Sequence, residues 1–166
     1  GEVVARFVGG AEYGPRALGH RSILAPANDA RMPQTLNGML RRSTVMPFAP
    51  MARARDAAEL FVDVPALAGS LRTMTAAVPC TAAMRREYPA VVHVDGTARP
   101  QLLDDDDPAT VILDELERLV GQRVVINTSF NLHDEPIVCR PSDAARSARA
   151  ARIKLIQIEG SVAEIG

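Results

Sequence analysis

Apolar positions along the chain fall alternately into short continuous runs and into runs with helical spacing. Continuous runs at residues 2–8, 123–126 and 155–158 predict strands, and the second run is typical of a strand buried on both faces. Apolar residues spaced three and four apart predict helices over residues 28–41, 53–60, 81–88, 108–120 and 142–152. The alternation predicts an α/β fold, in which helices flank a twisted, mixed β-sheet within a single domain of residues 1–166.

The ends of two helices carry more specific signals. Asn28 or Asp29 is expected to cap the first helix. The apolar face of this helix is expected to contain Met32, Leu36, Met39 and Leu40. Four aspartates at residues 104–107 precede Pro108, and a helix N-terminus explains them better than a metal site does, because its dipole favours negative charge.

The remaining strands have weaker patterns. Residues 45–51 are apolar but interrupted by Pro47 and Pro50, so an extended, edge-like or irregular strand is expected there rather than a central one. Three further strands are predicted at residues 74–78, 91–94 and 97–102. The turn signal Asp95-Gly96 predicts that the last two form a hairpin, and residues 67–71 are expected to form a loop.

Composition narrows the class of protein. Hydrophobic residues make up 47% and charged residues 23% of the 166 residues, a balance that excludes a disordered chain. The net charge of −1 and the aromatic content of 4% argue against nucleic acid as a partner. The two cysteines lie outside any metal-binding spacing, and no apolar run approaches the roughly 18 residues of a membrane span. We expect a cytoplasmic protein without a membrane partner. Because Gly1 opens directly into a predicted strand, we also expect the chain to be a piece of a longer polypeptide.

Short polar side chains follow the most apolar strand. Asn127, Thr128, Ser129 and Asn131 come directly after residues 123–126. Open α/β sheets place their ligand-binding groups at this position, and hydroxyl and amide groups can donate hydrogen bonds to phosphate or carbonyl oxygens. The alternative is that these side chains only satisfy the turn that leaves the strand.

Several arginines are candidates for binding an anion. Arg16 and Arg21 lie in the glycine-rich segment 9–22, and Arg41 and Arg42 lie at the end of the first predicted helix. The glycine-rich segment has neither the Walker spacing nor a dinucleotide motif. Guanidinium groups suit phosphate and carboxylate, although a helix C-terminus also attracts arginine through its dipole.

Residues 93–101 combine a turn with alternating polar positions. Thr97, Arg99 and Gln101 are expected to share one face of a strand, with His93 close by across the hairpin. A lone histidine is more often a structural residue than a catalytic base, and no nucleophile motif accompanies it.

Five strings occur in order along the chain: YGPRALGHRS at residues 13–22, PFAP at 47–50, HVDGTAR at 93–99, NTSFN at 127–131 and EPI at 135–137. Together they resemble the C-terminal domain of the nodulation-protein-type O-carbamoyltransferases. The resemblance implies a YrdC-like α/β domain that binds carbamoyl phosphate and ATP, with Mg²⁺, and forms carbamoyl-adenylate. It also implies an N-terminal half with an actin-like fold, which binds a metal and passes the carbamoyl group to an acceptor hydroxyl.

The resemblance carries over to individual positions. The Ser-x-Asn element of the family falls on Ser129 and Asn131, its loop arginine on Arg99, and the arginine of its glycine-rich string on Arg16. The candidate binding residues are therefore Arg16, Arg41, Arg42, Arg99, Asn127, Ser129 and Asn131, with no metal ligand and no catalytic nucleophile assigned.

One stretch departs from the family pattern. Many members carry a lysine and an arginine where this chain has Leu40 and Met46, and Arg41 is the nearest substitute for the lysine. The favoured hypothesis is an enzyme part in which arginines neutralise phosphate charge. The alternative is a non-catalytic structural or nucleotide-sensing module; RNA binding, found in some YrdC relatives, is disfavoured by the charge.

Overall fold

The structure, a computed structural model, describes residues 1–43 and 47–165. Its strands are β1 (Val4–Phe7), β2 (Arg21–Pro26), β3 (Ala49–Arg53), β4 (Val78–Pro79), β5 (Thr97–Ala98), β6 (Gln101–Leu103), β7 (Val124–Ser129), β8 (Leu155–Ile158) and β9 (Ser161–Glu164). Its α-helices are α1 (Met32–Leu40), α2 (Ala57–Leu60), α3 (Val64–Leu71), α4 (Ala82–Glu87), α5 (Thr110–Val120) and α6 (Pro141–Ala150). Short 3₁₀ helices span Ala54–Asp56 and Pro89–Val91.

Within the described residues, seven strands form one sheet in the order β6-β3-β7-β2-β1-β8-β9, and β4 pairs with β5 in a separate ribbon. The sheet is mixed, because β1 runs antiparallel to β2 and parallel to β8. The predicted α/β class, a mixed sheet flanked by helices, is confirmed. Every helix in these residues is too short or too polar to cross a lipid bilayer.

The chain folds as two compact units. The first unit comprises Gly1–Pro26, Arg31–Met46 and Asn127–Gly166, and the second comprises Ala27–Ala30 and Pro47–Ile126. The boundaries expected for a single domain, residues 1–166, stay a prediction.

The first unit is organised around β1. This strand pairs with β2 from Val4 opposite Leu24 to Phe7 opposite Arg21, and with β8 from Val4 opposite Leu155 onward. Helix α6 contacts both β1 and β8. Buried apolar side chains of this unit include Ala5, Ile23, Leu36, Leu40, Phe130, Ala148 and Ile156. Full burial of a large aliphatic side chain stabilises the fold by about 1.5–3 kcal/mol.

The second unit contains the parallel pair β3 and β6, in register from Met51 opposite Gln101. Helix α5 lies against β3, and the fully buried Arg53 side chain connects the two. Its guanidinium binds the carboxylates of Asp114 and Glu117 on α5 and donates from Nε to Asp56 Oδ2 at 3.0 Å. These bonds raise the pKa of Arg53, against the opposing effect of its burial, so this buried cation stays charged.

Two observed strands were not predicted, and the prediction of an edge-like strand at the position of β3 is wrong. β2 and β9 have no counterpart in the sequence-based assignment, because β2 begins with the polar pair Arg21-Ser22 and β9 is exposed throughout. β3 is buried along its whole length and lies between two other strands, so it is not an edge. Pro50 precedes the pairing with β6, which begins at Met51, so its missing amide proton removes no hydrogen bond to that strand. The predicted positions Thr44, Val45 and Met46 lie outside the described residues.

The predicted hairpin of residues 91–94 with 97–102 is also wrong. β5 pairs instead with β4, Ala98 opposite Val78, and residues 89–91 form a 3₁₀ helix. Residues 74–77 precede the short β4 and are not in a strand. The turn itself was correctly predicted, since the Gly96 amide donates to the His93 carbonyl at 2.9 Å. The expected loop at residues 67–71 is the second half of α3.

The expected helix caps are corrected in detail. Helix α1 begins at Met32 after Arg31, so neither Asn28 nor Asp29 caps it. The buried positions Met32, Leu36 and Leu40 confirm its predicted face, and Met39 is half-buried. Helix α5 begins at Thr110, later than predicted. Asp107 still supports its start by accepting a hydrogen bond from the Ala109 amide at 2.8 Å.

Candidate functional site

The polar side chains of β7 are placed by the strand itself. Asn127, Thr128 and Ser129 are the last three residues of β7. The prediction that they follow the end of the strand is therefore wrong, because the strand continues through them. Phe130 follows and is fully buried, and its amide donates to the Arg21 carbonyl at 2.9 Å. Because the chain is fixed at Phe130, the polar residues on either side of it keep defined positions.

Arg42 joins this group from the end of α1. Its backbone amide donates to the Asn37 carbonyl at 2.9 Å, which closes the helix. Its guanidinium donates from Nη1 to Thr128 Oγ1 at 2.7 Å and from Nη2 to Ser129 Oγ at 3.0 Å and Asn131 Oδ1 at 3.3 Å. We call these four residues the Arg42 cluster. The structure thus brings together three of the predicted site residues, Arg42, Ser129 and Asn131.

The charge of Arg42 has no acidic counterpart in this cluster. All its acceptors are neutral oxygens, and it forms no ion pair with any residue of the described segments. Arg42 is half-buried, and this burial lowers the pKa of its guanidinium from the ordinary value. A half-buried guanidinium with neutral partners has the chemistry to bind an anion.

Asn131 is held in a defined orientation. Its Nδ2 group donates to the Leu132 carbonyl at 2.9 Å and to the Glu135 carbonyl at 2.8 Å. The two amide protons are therefore occupied, and Oδ1 is left to accept from Arg42. These contacts fix the carbonyl oxygen of Asn131 toward the guanidinium.

Asn127 connects β7 to the glycine-rich segment. It is almost completely buried, and its Nδ2 donates to the Ala17 carbonyl at 3.2 Å. In this structure Asn127 therefore holds residues of the segment beside the strand. Its expected contact with a ligand stays a prediction.

Glu12 organises the glycine-rich segment and was missed by the sequence analysis. Its Oε1 accepts hydrogen bonds from the amides of Leu18 at 2.6 Å, His20 at 2.7 Å and Arg21 at 3.1 Å. Three amides around one carboxylate oxygen fix the path of the chain from residue 18 to residue 21. Because a single acidic residue has no distinctive spacing, only the folded loop reveals this role.

Arg21 proves to be structural. Its Nη1 donates to the Val8 carbonyl at 2.8 Å and its Nη2 to the Gly9 carbonyl at 2.7 Å. The guanidinium also lies 3.6 Å from the centre of the Phe7 ring. Arg21 therefore connects β2 to the loop after β1. These contacts use Nη1 and Nη2, two of the groups that made Arg21 a candidate for binding an anion.

Arg16 and Arg41 do not join the Arg42 cluster. Arg16 is half-buried in the glycine-rich segment and forms no hydrogen bond with any residue in the described parts of the chain. Arg41 is exposed and adopts a left-handed backbone with φ 56° at the end of α1. Leu40, where many family members carry lysine, is buried in the core. Ligand binding by Arg16 and Arg41 stays a prediction.

Arg99 lies in the second unit, in the connection between β5 and β6. The two strands are separate, so residues 97–101 do not form one continuous strand with Thr97, Arg99 and Gln101 alternating on a common face. His93 is near Thr97 as expected, with its Nδ1 3.1 Å from Thr97 Oγ1. The proposed contact of Arg99 with a ligand stays a prediction.

Removing the carboxylate of Glu12 tests its role in the loop. In Glu12→Ala we expect amide hydrogen exchange at Leu18, His20 and Arg21 to quicken at least tenfold, because a hydrogen bond to a charged acceptor contributes about 1.5–3 kcal/mol. Exchange measured by NMR at these amides checks the prediction.

Glu159 offers a matched control. Its carboxylate accepts from a single amide, that of Gly9, at 3.1 Å from both oxygens. Glu159→Ala should quicken exchange at Gly9 and leave the three Glu12-bound amides unchanged. Wild-type exchange rates at those amides in Glu12→Ala would show that the loop is held by other contacts.

The fold and the Arg42 cluster define an α/β protein in which a half-buried guanidinium is bound by neutral oxygens. The family model described as carbamoyltransferase C-terminus matches residues 1–164. The chain belongs to this family, which confirms the resemblance identified from the five strings.

Individual relatives agree. An uncharacterized protein of Methanocaldococcus jannaschii is 35% identical over 167 residues, covering 96% of this chain and 26% of the relative. Nodulation protein NolO of Bradyrhizobium diazoefficiens is 37% identical over 147 residues, covering 87% of this chain and 27% of the relative. The chain therefore spans about a quarter of the length of these curated relatives.

A solved structure shares the fold. The crystal structure of full-length HypF in the phosphate- and nucleotide-bound form matches 96% of this chain and 23% of HypF, with a TM-score of 0.70 and 17% identity. At this identity the likeness concerns the fold alone, and it agrees with the YrdC-like α/β fold that the resemblance implies.

Proposed function

We propose that this chain is the part of a carbamoyltransferase that binds carbamoyl phosphate and ATP and forms carbamoyl-adenylate. The observation that carries the proposal is the Arg42 cluster, in which a half-buried cation has only neutral partners. A phosphate oxygen would supply the negative charge that the cluster lacks. Family membership supports the class of reaction, and the phosphate- and nucleotide-bound HypF supports a fold suited to such ligands.

The proposed reaction has two steps. Water releases carbamate and phosphate from carbamoyl phosphate. A carbamate oxygen then attacks the α-phosphorus of ATP, and the bond to pyrophosphate breaks as the new oxygen–phosphorus bond forms. Arg42 is proposed to neutralise phosphate charge, and Ser129 and Asn131 to orient the ligand, so no covalent nucleophile is needed. The family resemblance also makes Arg99, in the second unit, a proposed phosphate-binding residue, and its role is tested on its own.

The expected cofactor and partners belong to the same proposal. Mg²⁺ is expected to arrive on the phosphates of ATP as part of the substrate. The described residues contain no group of three or more His, Cys, Asp or Glu suited to a metal ion, so we assign no metal ligand to this chain. Because the chain spans about a quarter of its relatives, we propose that a metal-binding N-terminal half carries out transfer to an acceptor hydroxyl.

Location and other partners complete the proposal. Cys80 is buried and Cys139 exposed, both as free thiols, which suits a reducing cytoplasm. Neither nucleic acid nor a membrane is a proposed partner.

Titration of the chain with ATP and with carbamoyl phosphate tests the proposal, and Arg99→Ala sharpens it. We expect Arg99→Ala to weaken binding of the phosphate ligand by about 1.5–3 kcal/mol, the contribution of a charge-assisted hydrogen bond. Isothermal titration calorimetry measures the affinity, and thermal unfolding checks that the fold is unchanged.

Arg86→Ala is the control in the same unit, because Arg86 is exposed and, in the part of the chain that the structure describes, pairs only with its neighbour Glu87. This variant should bind both ligands as the wild type does. Unchanged affinity in Arg99→Ala would remove Arg99 from the site. A wild-type chain that binds neither ligand would contradict the proposed function and favour the non-catalytic module.

A further inference from the structure

Helix α5 turns its charged side, rather than most of its apolar side, toward strand β3. The carboxylates of Asp114 and Glu117 bind the buried guanidinium of Arg53 on that strand. All eleven residues of the helix lie in the described part of the chain, and Leu113 alone among them is buried. The bonds to Arg53 therefore fix the rotation of the helix about its own axis.

The other apolar residues of α5 face away from β3. Three of them are more than half exposed, namely Val111 at 58%, Leu119 at 65% and Val120 at 62%. Separations of three and four residues place four apolar side chains on one face, which we call the α5 stripe: Ile112, Leu116, Leu119 and Val120. The first two are half-buried. A soluble protein normally turns such a stripe to its core, so an exposed one marks a surface for contact with another molecule.

One edge of the α5 stripe carries a negative and a positive side chain. Glu115 lies three residues after Ile112 and four before Leu119, and Arg118 follows on the same edge one turn later. Arg118 donates to Glu115 Oε2 from Nε at 2.9 Å and from Nη2 at 2.7 Å. Both side chains are more than half exposed, so each can also reach a partner that covers the stripe.

This order of charges is complementary to itself. A twofold axis between residues 116 and 117 brings the α5 helix of a second copy alongside in the antiparallel direction. Glu115 then lies level with Arg118 of the second copy, and Arg118 lies level with its Glu115, while the two apolar stripes face each other. A parallel arrangement places like charges level instead.

The charge of α5 disfavours a membrane as the occupant of the stripe. Helices that lie on lipid surfaces carry lysine and arginine along their polar face. Helix α5 carries three carboxylates and one arginine, so anionic headgroups would repel it. A second copy matches both the apolar stripe and the mixed charges along its edge.

We propose that the α5 stripe is an interface between two copies of this chain, in which two α5 helices pack antiparallel and Glu115 pairs with Arg118 across a twofold axis. The inference is independent of the proposed function, because it uses none of the candidate ligand-binding residues. Helix α5 is about 16 Å long and alone offers less than the roughly 800 Å² that each partner of a standard interface buries. The dimer is therefore weak, and its population depends on concentration.

Sedimentation velocity over a wide range of protein concentration tests the proposal. We expect the wild-type chain to shift from monomer to dimer between about 1 μM and about 1 mM, as small interfaces do. Leu119→Glu should raise the Kd of the dimer at least tenfold, because each dimer would then bury two carboxylates in the apolar contact. Val94→Glu, at a fully exposed valine of the same unit, is the matched control and should leave the Kd unchanged. Circular dichroism checks that both variants fold.

Reversing the two charges tests the antiparallel order. Glu115→Arg and Arg118→Glu each place like charges level across the axis and should raise the Kd of the dimer about threefold to tenfold. The double variant restores opposite charges and should recover the wild-type Kd. An equimolar mixture of the two single variants should form a heterodimer more readily than either variant forms its own dimer.

Several results would overturn the inference. A wild type that stays monomeric throughout this range would show that the stripe does not join two copies, and a dimer that Leu119→Glu leaves intact would place the interface elsewhere. Equal weakening by Val94→Glu and Leu119→Glu would reduce the effect to added negative charge. A double variant no tighter than the single variants would exclude the antiparallel pairing of Glu115 with Arg118.

Discussion

Arg42→Ala is expected to raise the Kd for the phosphate ligand about 30–150-fold, which corresponds to a loss of about 2–3 kcal/mol of binding free energy. The guanidinium is half-buried and bound only to neutral oxygens, so a phosphate would be its first anionic partner. The free energy of unfolding should change by less than about 1 kcal/mol, because the substitution also removes a cation that is half-buried without a negatively charged partner. Titration and chemical denaturation of the same variant measure the two effects.

Arg146→Ala is the control in the same unit, because Arg146 is 67% exposed and pairs with Asp143 on its own helix. We expect it to change affinity by less than threefold. Arg42→Lys should recover only part of the affinity, since an ammonium cannot form the forked contacts of a guanidinium. Equal affinities of Arg42→Ala and the wild type would exclude the Arg42 cluster as the phosphate site.

The strands that could be predicted are those whose burial follows from a local apolar run. β8 was predicted with its observed bounds, and the apolar part of β7 was predicted because its side chains are buried on both faces. β2 was missed because it begins with a buried arginine. Arg21 is accommodated by the Phe7 ring and by the carbonyls of the loop after β1, and such long-range partners leave no local pattern.

The wrong hairpin has a similar cause. The turn at Asp95-Gly96 is a local feature and was correctly predicted from its residue types. The choice of a partner strand is not local, since β5 pairs with β4 some twenty residues before it. A correct turn therefore does not establish which strand lies beside the next one.

Part of the candidate site could be predicted because position and family strings agree on the same residues. Ser129 and Asn131 were identified from both, and the structure adds Arg42 as their shared partner. The role of Glu12 could not be predicted. It depends on which amide protons a folded loop directs at one oxygen, and residue spacing does not encode that.

Arg53 binds three carboxylates of the second unit, those of Asp56, Asp114 and Glu117. Arg53→Ala is expected to lower the free energy of unfolding by about 3–5 kcal/mol, because it removes a buried partner that the three carboxylates share and leaves a cavity. The Arg53 side chain is 2% exposed and that of Asp56 is 13% exposed, so Asp56 would lose its hydrogen bond to Arg53 away from water and keep the longer contact with Arg123 at 3.7 Å. Urea denaturation at pH 7 measures the change.

Arg55→Ala provides the control for charge alone, because Arg55 binds the same Asp114 at 3.2 Å but is 53% exposed, and its removal should cost less than about 1 kcal/mol.

Acid adds a second test. The hydrogen bond from Arg53 lowers the pKa of Glu117, so this stabilisation is complete above the ordinary pKa of a glutamate and disappears as pH falls through the lowered value. Arg53→Ala should therefore lose less stability between pH 7 and pH 3 than the wild type does. Equal destabilisation by Arg53→Ala and Arg55→Ala, with parallel pH profiles, would show that the buried guanidinium contributes no more than a surface charge.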